Sequence, residues 1–204
     1  MARMFELQGV AFDGLLPLSL QIAAGECIGL NGESGCGKTR LLRVLADMDV
    51  HQGVVLLDGV ACAAMPPDQW RRKVALLPAE SQWWFDTVGE HFAAHDTLAT
   101  ALAMLGFDTR VFDWSPSRCS SGERQRLAIL RCLANQPQVL LLDEPTANLD
   151  PDNTLRVEKL ITEYLARHGA ACIWVSHDTL QLERVASRRF QCLGGQIVAV
   201  NADG

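Results

Sequence analysis

Apolar residues fall in short runs between polar turns, and the period of the runs changes along the chain. Met4 to Val10 and Leu18 to Ile22 alternate apolar and polar side chains, as strands of an antiparallel sheet do. Ala24-Gly25-Glu26 turns into Cys27–Leu30, a continuous apolar run suited to a buried strand. Leu41, Leu42, Val44 and Leu45 then recur at helical spacing. Gly53–Leu57, turned by Asp58-Gly59, and Val74–Leu77, ended by Pro78, predict two more strands. From Ser81 to about Phe112 helical spacing dominates and small residues are frequent (Ala93, Ala94, Ala99, Ala101, Ala103), which predicts a compact helical subdomain. Leu127–Leu133 reads as an amphipathic helix, and Val139–Leu142 as a fully buried parallel strand. A helix from Asp152 to about Arg167 buries Leu155, Leu160, Ile161, Tyr164 and Leu165. Ala170–Val175 is one more buried strand, Thr179–Ala186 a helix, and Arg189–Val200 a closing hairpin around Gly194-Gly195. Buried strands alternating with helices predict an α/β fold with a mixed core sheet.

The chain joining the first buried strand to the first helix carries the chemistry. Gly32-Glu33-Ser34-Gly35-Cys36-Gly37-Lys38-Thr39 fits G-x-x-x-x-G-K-[ST] at every fixed position. Its glycines let backbone N–H groups approach an oxyanion without a Cβ in the way. The helix N-terminus adds partial positive charge. Lys38 is expected to reach the β- and γ-phosphates, and the Thr39 hydroxyl to bind Mg²⁺.

Asp143 and Glu144 end the Val139–Leu142 strand, where the C-terminal edge of a doubly wound sheet binds ligands. Asp143 can hold Mg²⁺ through water, while Glu144 faces the γ-phosphate and orients or deprotonates the attacking water. His177, in Ser176-His177-Asp178, falls at the same sheet edge and is a candidate γ-phosphate contact. Phe12 stands at the end of the first strand, either to stack on a base or to pack in the core. Ser120-Ser121-Gly122-Glu123, taken alone, is an ordinary capped helix start. Trp83, Trp84 and Phe85 cannot all face inward on one helix; one or two form an exposed patch for a partner, or all three are buried against the sheet.

Composition narrows the reading. With 204 residues, 49% hydrophobic, the chain can bury the core of one generous domain. A net charge of −6 argues against a general nucleic-acid binder. No signal-peptide pattern opens the chain, and no apolar run is long enough to span a bilayer. Seven cysteines, odd in number and without zinc-type pairing, read as reduced cytosolic thiols.

In combination and order, these motifs resemble the nucleotide-binding subunit of ATP-binding cassette (ABC) transporters, small bacterial type. The resemblance rests on GESGCGKT at Gly32–Thr39, SSGERQR at Ser120–Arg126, LLLDEP at Leu140–Pro145, NLD at Asn148–Asp150 and SHD at Ser176–Asp178, and covers essentially the whole chain. It implies a single P-loop ATPase domain over residues 1–204, with an N-terminal antiparallel β subdomain and a short helical subdomain, about 81–135, inserted in a RecA-like core. It also implies Mg²⁺-dependent ATP hydrolysis, with catalytic roles for Glu144, His177 and Lys38. The ATP contacts are Phe12, Asn31, Gly32, Glu33, Ser34, Gly35, Cys36, Gly37, Lys38, Thr39 and Arg40. Ser120, Ser121, Gly122 and Glu123 match the signature that meets ATP bound to a second copy, and Asp150 the aspartate that couples the two sites. A membrane-spanning partner docks on the helical subdomain, with Trp83, Trp84 and Phe85 its candidate surface. The subunit then sits on the cytoplasmic face of the inner membrane and binds no nucleic acid, with no regulatory extension expected after Gly204. CIWVSHD, SSGERQR and the short chain resemble transporter ATPases of the metal (iron) efflux kind.

Four positions stand out. Ala79 occupies the place where the family usually has a Mg²⁺-sensing Gln, so either Gln82 substitutes or that contact is lost. Arg40 replaces the usual Thr, to pair with the α-phosphate or to point away. Ser121 and Glu123 stand where Gly and Gln are commoner; Glu123 must turn outward or cap its helix. Cys36 is either a redox-sensitive thiol or a tolerated small residue. Two other classes remain open: a soluble ABC-type ATPase acting on nucleic acid or ribosomes, and an ATP-regulated binding module, suggested only by Ala79.

Overall fold

The computed structural model describes residues 4–93 and 98–200. Two sheets organise them. In the first, β1 (Met4–Phe12), β2 (Leu15–Ala23), β4 (Gln52–Leu57) and β5 (Val60–Ala61) are antiparallel in the order β2-β1-β4-β5. The second has the order β10-β9-β3-β8-β7-β6. Here β3 (Cys27–Gly32), β6 (Val74–Leu77), β7 (Val139–Asp143), β8 (Ala171–Val175) and β9 (Arg188–Leu193) run parallel, and β10 (Gln196–Val200) turns back antiparallel on β9. Every residue of β7 and β8 is buried, as strands covered on both faces must be.

Side chains alternate across this second sheet and so build two cores. Leu140, Leu142, Cys172 and Trp174 join one cluster, with Leu127 and Leu130 of α4 (Ser121–Ala134) and Leu160 and Ile161 of α5 (Pro151–His168). Val139, Leu141, Ile173 and Val175 join the other, with Leu41, Leu42, Val44 and Leu45 of α1 (Lys38–Leu45) and the inner face of the antiparallel sheet. Trp70 of α2 (Pro67–Lys73) is fully buried there and donates its indole N–H to the Leu45 carbonyl at 2.9 Å.

The stretch from Ser81 to Phe112 corrects the sequence expectation. Among the described residues of this stretch only α3 (Ala99–Met104) is α-helical, with short 3-10 turns at Gly89–His91 and Thr109–Asp113; residues 94–97, Ala94 among them, lie outside the described residues. Side chains take backbone donors that a helix would need. His91 Nε2 accepts from the Trp84 and Phe85 N–H groups at 3.0 and 3.1 Å, and Glu90 accepts from the Thr87 N–H at 2.8 Å. Val88, Phe92, Leu102, Leu105, Val111 and Phe112 still bury this stretch against α4 and α5. The last described helix, α6 (Thr179–Val185), packs on β3.

Candidate active site

A cavity of about 630 Å³ opens at the C-terminal edge of β3 and β7. Ser34 to Arg40 form one wall, Phe12, Asp13 and Gly14 another, and Asp143, Glu144, His177 and Ala79 a third. The geometry follows from the strands: β3 delivers the glycine-rich loop, β7 delivers both carboxylates, and β8 delivers His177 one strand further on. Lys38 is only 7% exposed, although the loop around it is open. Its ammonium donates to the Gly32 and Glu33 carbonyls at 2.7 and 2.9 Å, so the loop is already wrapped around this cation. Asn31, Gly32 and Glu33 are not among the residues lining the cavity; Gly32 and Glu33 act through the carbonyls that hold the Lys38 ammonium.

Thr39 Oγ1 donates to Asp143 Oδ2 at 2.8 Å. A hydroxyl and a buried carboxylate held this close, beside a phosphate cradle, are the donor set a hard divalent cation takes. Ala79 faces the same cavity, whereas Gln82 is exposed, is not part of the lining, and accepts from Arg131 through its backbone carbonyl at 3.0 Å. Of the two alternatives, loss of the contact fits this geometry: Ala79 is the lining residue and brings no polar side-chain atom.

Glu144 holds a left-handed backbone, φ 48°, rare and strained for a residue with a side chain. Burial pushes its carboxyl above the ordinary range and the Asp143 charge adds to the rise, while His177 and Lys38 pull it back. His177 Nε2 lies 3.5 Å from Glu144 Oε1, and that oxygen is buried with no hydrogen-bond partner. A carboxylate raised in this way, with one oxygen free of hydrogen bonds and lining the cavity, is equipped to take a proton from water. A buried network fixes the turn that follows. Gln181 bonds Thr146, Trp174 and Glu158, and Arg184 forks onto Glu158 at 2.7 and 3.0 Å.

Phe12 does both things its position allowed: it lines the cavity and packs partly against the core. Arg40 points away from the loop, donating to the Asp13 carbonyl at 2.7 Å with its guanidinium 4.7 Å over the Phe12 ring.

Ser120 and Ser121 are exposed and lie apart from this cavity, as does Asp150. Glu123 resolves its departure by capping: its carboxylate accepts from the Ser120 N–H at 2.8 Å, and Ser120 Oγ accepts from the Glu123 N–H at 3.2 Å. Gly122 abuts the turn after β7, for a Cβ there would stand 3.2 Å from the Asn148 carbonyl oxygen. Asp150 caps α5, accepting from the Asn153 N–H at 2.9 Å. Trp84 and Phe85 are 65% and 48% exposed, so the fully buried alternative fails. Sequence reasoning missed Arg43 and Asp49, which line the cavity as a bidentate pair at 2.8 and 2.9 Å. Arg43 falls one helical turn after Thr39, and that spacing was the available signal.

Fold and site together define a P-loop nucleoside-triphosphate hydrolase. The ABC transporter family model matches residues 15–147, and the chain belongs to that family. Its relatives include an aliphatic sulfonates import ATP-binding protein, SsuB 3, of Paraburkholderia xenovorans (strain LB400), 38% identical over 89% of this chain and 72% of that protein. SsuB 2 of Agrobacterium fabrum is 34% identical over 92% of this chain and 74% of that protein. Among solved structures, a bacterial Atm1-family ABC exporter with ATP bound superposes with a TM-score of 0.84 over 97% of this chain and 38% of that chain. At 23% identity that likeness carries the fold alone. The chain is an ATP-binding subunit and an ATPase of an ABC transporter, working as a dimer with membrane permease subunits. The reported relatives are named for sulfonate import, not metal efflux.

Proposed function

We propose that this chain powers import, through ATP held between two head-to-tail copies on the cytoplasmic face of the membrane. The supporting observation is that the phosphate cradle, Asp143 and Glu144 share one cavity, while Ser120 and Ser121 present exposed hydroxyls on a separate surface. A second copy is needed to bring the two together. Ser34 to Thr39 then wrap the phosphates, Lys38 leaves its two carbonyl partners for the β- and γ-oxygens, and Ser120 and Gly122 of the opposing copy close over the γ-phosphate. Glu144 takes the proton from the attacking water and His177 holds the γ-phosphate beside it. Thr39 and Asp143 would hold Mg²⁺, which when bound neutralises phosphate charge. Loss of the γ-phosphate removes the bridge, and the copies part. The exposed Trp84 and Phe85 face, steadied by His91 and Arg131, is the proposed seat of the membrane partner. Transport is favoured over action on nucleic acid by the net charge of −6 and by the import relatives.

Complementation tests the shared site. Lys38→Ala and Gly122→Asp each abolish ATPase alone, and mixing the two restores it, because one composite site in the mixed dimer is intact. A mixture that stays inactive, although it forms dimers, contradicts the proposal.

A further inference from the structure

Two cysteines meet behind the phosphate loop. Cys36 is the loop's fifth residue, and Cys192 pairs with Gly32 across the parallel β3–β9 ladder. The Cys192 thiol donates to the Cys36 carbonyl at 3.0 Å. Gly32 is what lets them approach. A Cβ at Gly32, whose φ is 147°, would stand 2.7 Å from the Cys192 carbonyl oxygen, 3.0 Å from Cys192 Cβ and 3.0 Å from Cys36 Sγ. Cys36 Sγ and Cys192 Cβ thus lie within about 6 Å of each other, and a disulfide, with its Cβ atoms about 3.5–4.5 Å apart, asks for a rotamer change and a loop shift. Lys38 also donates to Cys36 Sγ, at 3.8 Å, so the ammonium that serves the phosphates sits on this sulfur.

We propose that Cys36 and Cys192 form a reversible disulfide that ties the phosphate loop to β9 and shuts the nucleotide site. Cys36 is half-buried and lines the cavity, so it meets an oxidant first; Cys192 is buried behind it. Burial pushes the Cys192 thiol up to about 11, and the Cys36 sulfur beside it adds to the rise, so Cys192 is the slower thiol and reacts second. With a peroxide as oxidant, the Cys36 thiolate attacks one oxygen, the O–O bond breaks, and a sulfenic acid and water form after proton transfer. Cys192 then attacks the Cys36 sulfur; the S–S bond forms and the S–OH oxygen leaves as a second water. Two thiols lose two electrons and two protons, and one peroxide becomes two waters. The link draws the Cys36 side chain toward β9 and away from Lys38, so the loop can no longer wrap phosphate. Bound nucleotide covers Cys36 and opposes the reaction.

Diamide, which takes the same two electrons and two protons from a dithiol, tests this on the full chain. Non-reducing peptide mass spectrometry is expected to find Cys36 joined to Cys192, and affinity for a fluorescent ATP analogue to fall about tenfold or more. Dithiothreitol restores affinity, and prior ATP–Mg slows the link. Cys192→Ser keeps a hydroxyl donor for the Cys36 carbonyl, binds ATP as the parent does, and retains that affinity after diamide. The proposal is overturned if no Cys36–Cys192 link forms, if Cys36 pairs with another cysteine instead, if the linked protein binds ATP normally, or if Cys192→Ser loses affinity equally.

Discussion

Arg40 lays its guanidinium 4.7 Å over the centroid of the Phe12 ring while donating to the Asp13 carbonyl, so the two side chains tie adjacent walls of the cavity together. The same ring closes over Gly37, where an added Cβ would lie 3.6 Å from Phe12 Cε2. Phe12 is therefore a braced platform at the mouth of the cradle. Phe12→Ala is expected to weaken ATP about tenfold, since stacking of a base on an aromatic ring is worth about 1–3 kcal/mol. Titration with ATP and with inorganic tripolyphosphate checks it: ATP affinity falls and tripolyphosphate affinity does not. Equal losses for both would mean that Phe12 supports the loop, not the base.

Gly122 predicts a steric effect at a distance from the cavity. A methyl there meets the Asn148 carbonyl oxygen at 3.2 Å and Leu149 Cδ2 at 3.3 Å, tighter than relaxed packing allows. Gly122→Ala should shift the turn between β7 and α5, and with it the surface proposed to face the second copy. The expected result is ATP binding close to that of the parent with ATP-dependent dimerisation weakened, read by titration and light scattering on the same sample. Unaltered dimerisation would show that the turn yields freely.

Glu144 makes a pH prediction with a definite sign. Its carboxyl titrates above the usual range in the folded chain, because burial penalises the anion. The folded state then binds a proton more readily than the unfolded one, so stability is lost as pH rises from the unfolded pKa through the raised folded one. Glu144→Gln should raise the melting temperature at pH 8, and the gain should vanish below about pH 4, where both states are protonated. Melting curves across pH measure it; a gain independent of pH would mean that the glutamine packs better for other reasons. Hydrolysis by the parent should fall as pH drops through the same raised value.

The capping box predicts a smaller effect. Glu123→Ala removes the acceptor of the Ser120 N–H and should cost about 1 kcal/mol. For a chain of this size that is a fall of about 2–4 °C in melting temperature. Glu123→Gln keeps the acceptor and should recover most of it. If alanine and glutamine behave alike, the cap contributes nothing.

Much of this was legible in the sequence because one residue type at one spacing answered one physical need. Val139–Leu142 had to be a strand covered on both faces, and the carboxylates after it had to emerge at the sheet edge. The stretch after Ser81 was misread because His91 and Glu90 hold the backbone N–H groups of Trp84, Phe85 and Thr87, and no periodicity reveals a side chain that bonds main chain several residues away. Gln82 was a candidate by nearness in sequence, yet Pro78 and the non-helical run carry it out of the cavity and leave Ala79 on the wall. The return of Asp49 onto Arg43 and the meeting of Cys36 with Cys192 depend on a loop and a strand pairing; these are properties of the fold, whereas the place of Arg43 alone followed from its spacing.

The central claim is that triphosphate joins the cradle of one copy to the serine–glycine corner of another. Glu144→Gln keeps every phosphate contact while removing the base, so with ATP and Mg²⁺ it should run as a stable dimer in size-exclusion chromatography with light scattering, and as a monomer with ADP. A variant that binds ATP with full affinity yet remains monomeric at every protein concentration would contradict the account.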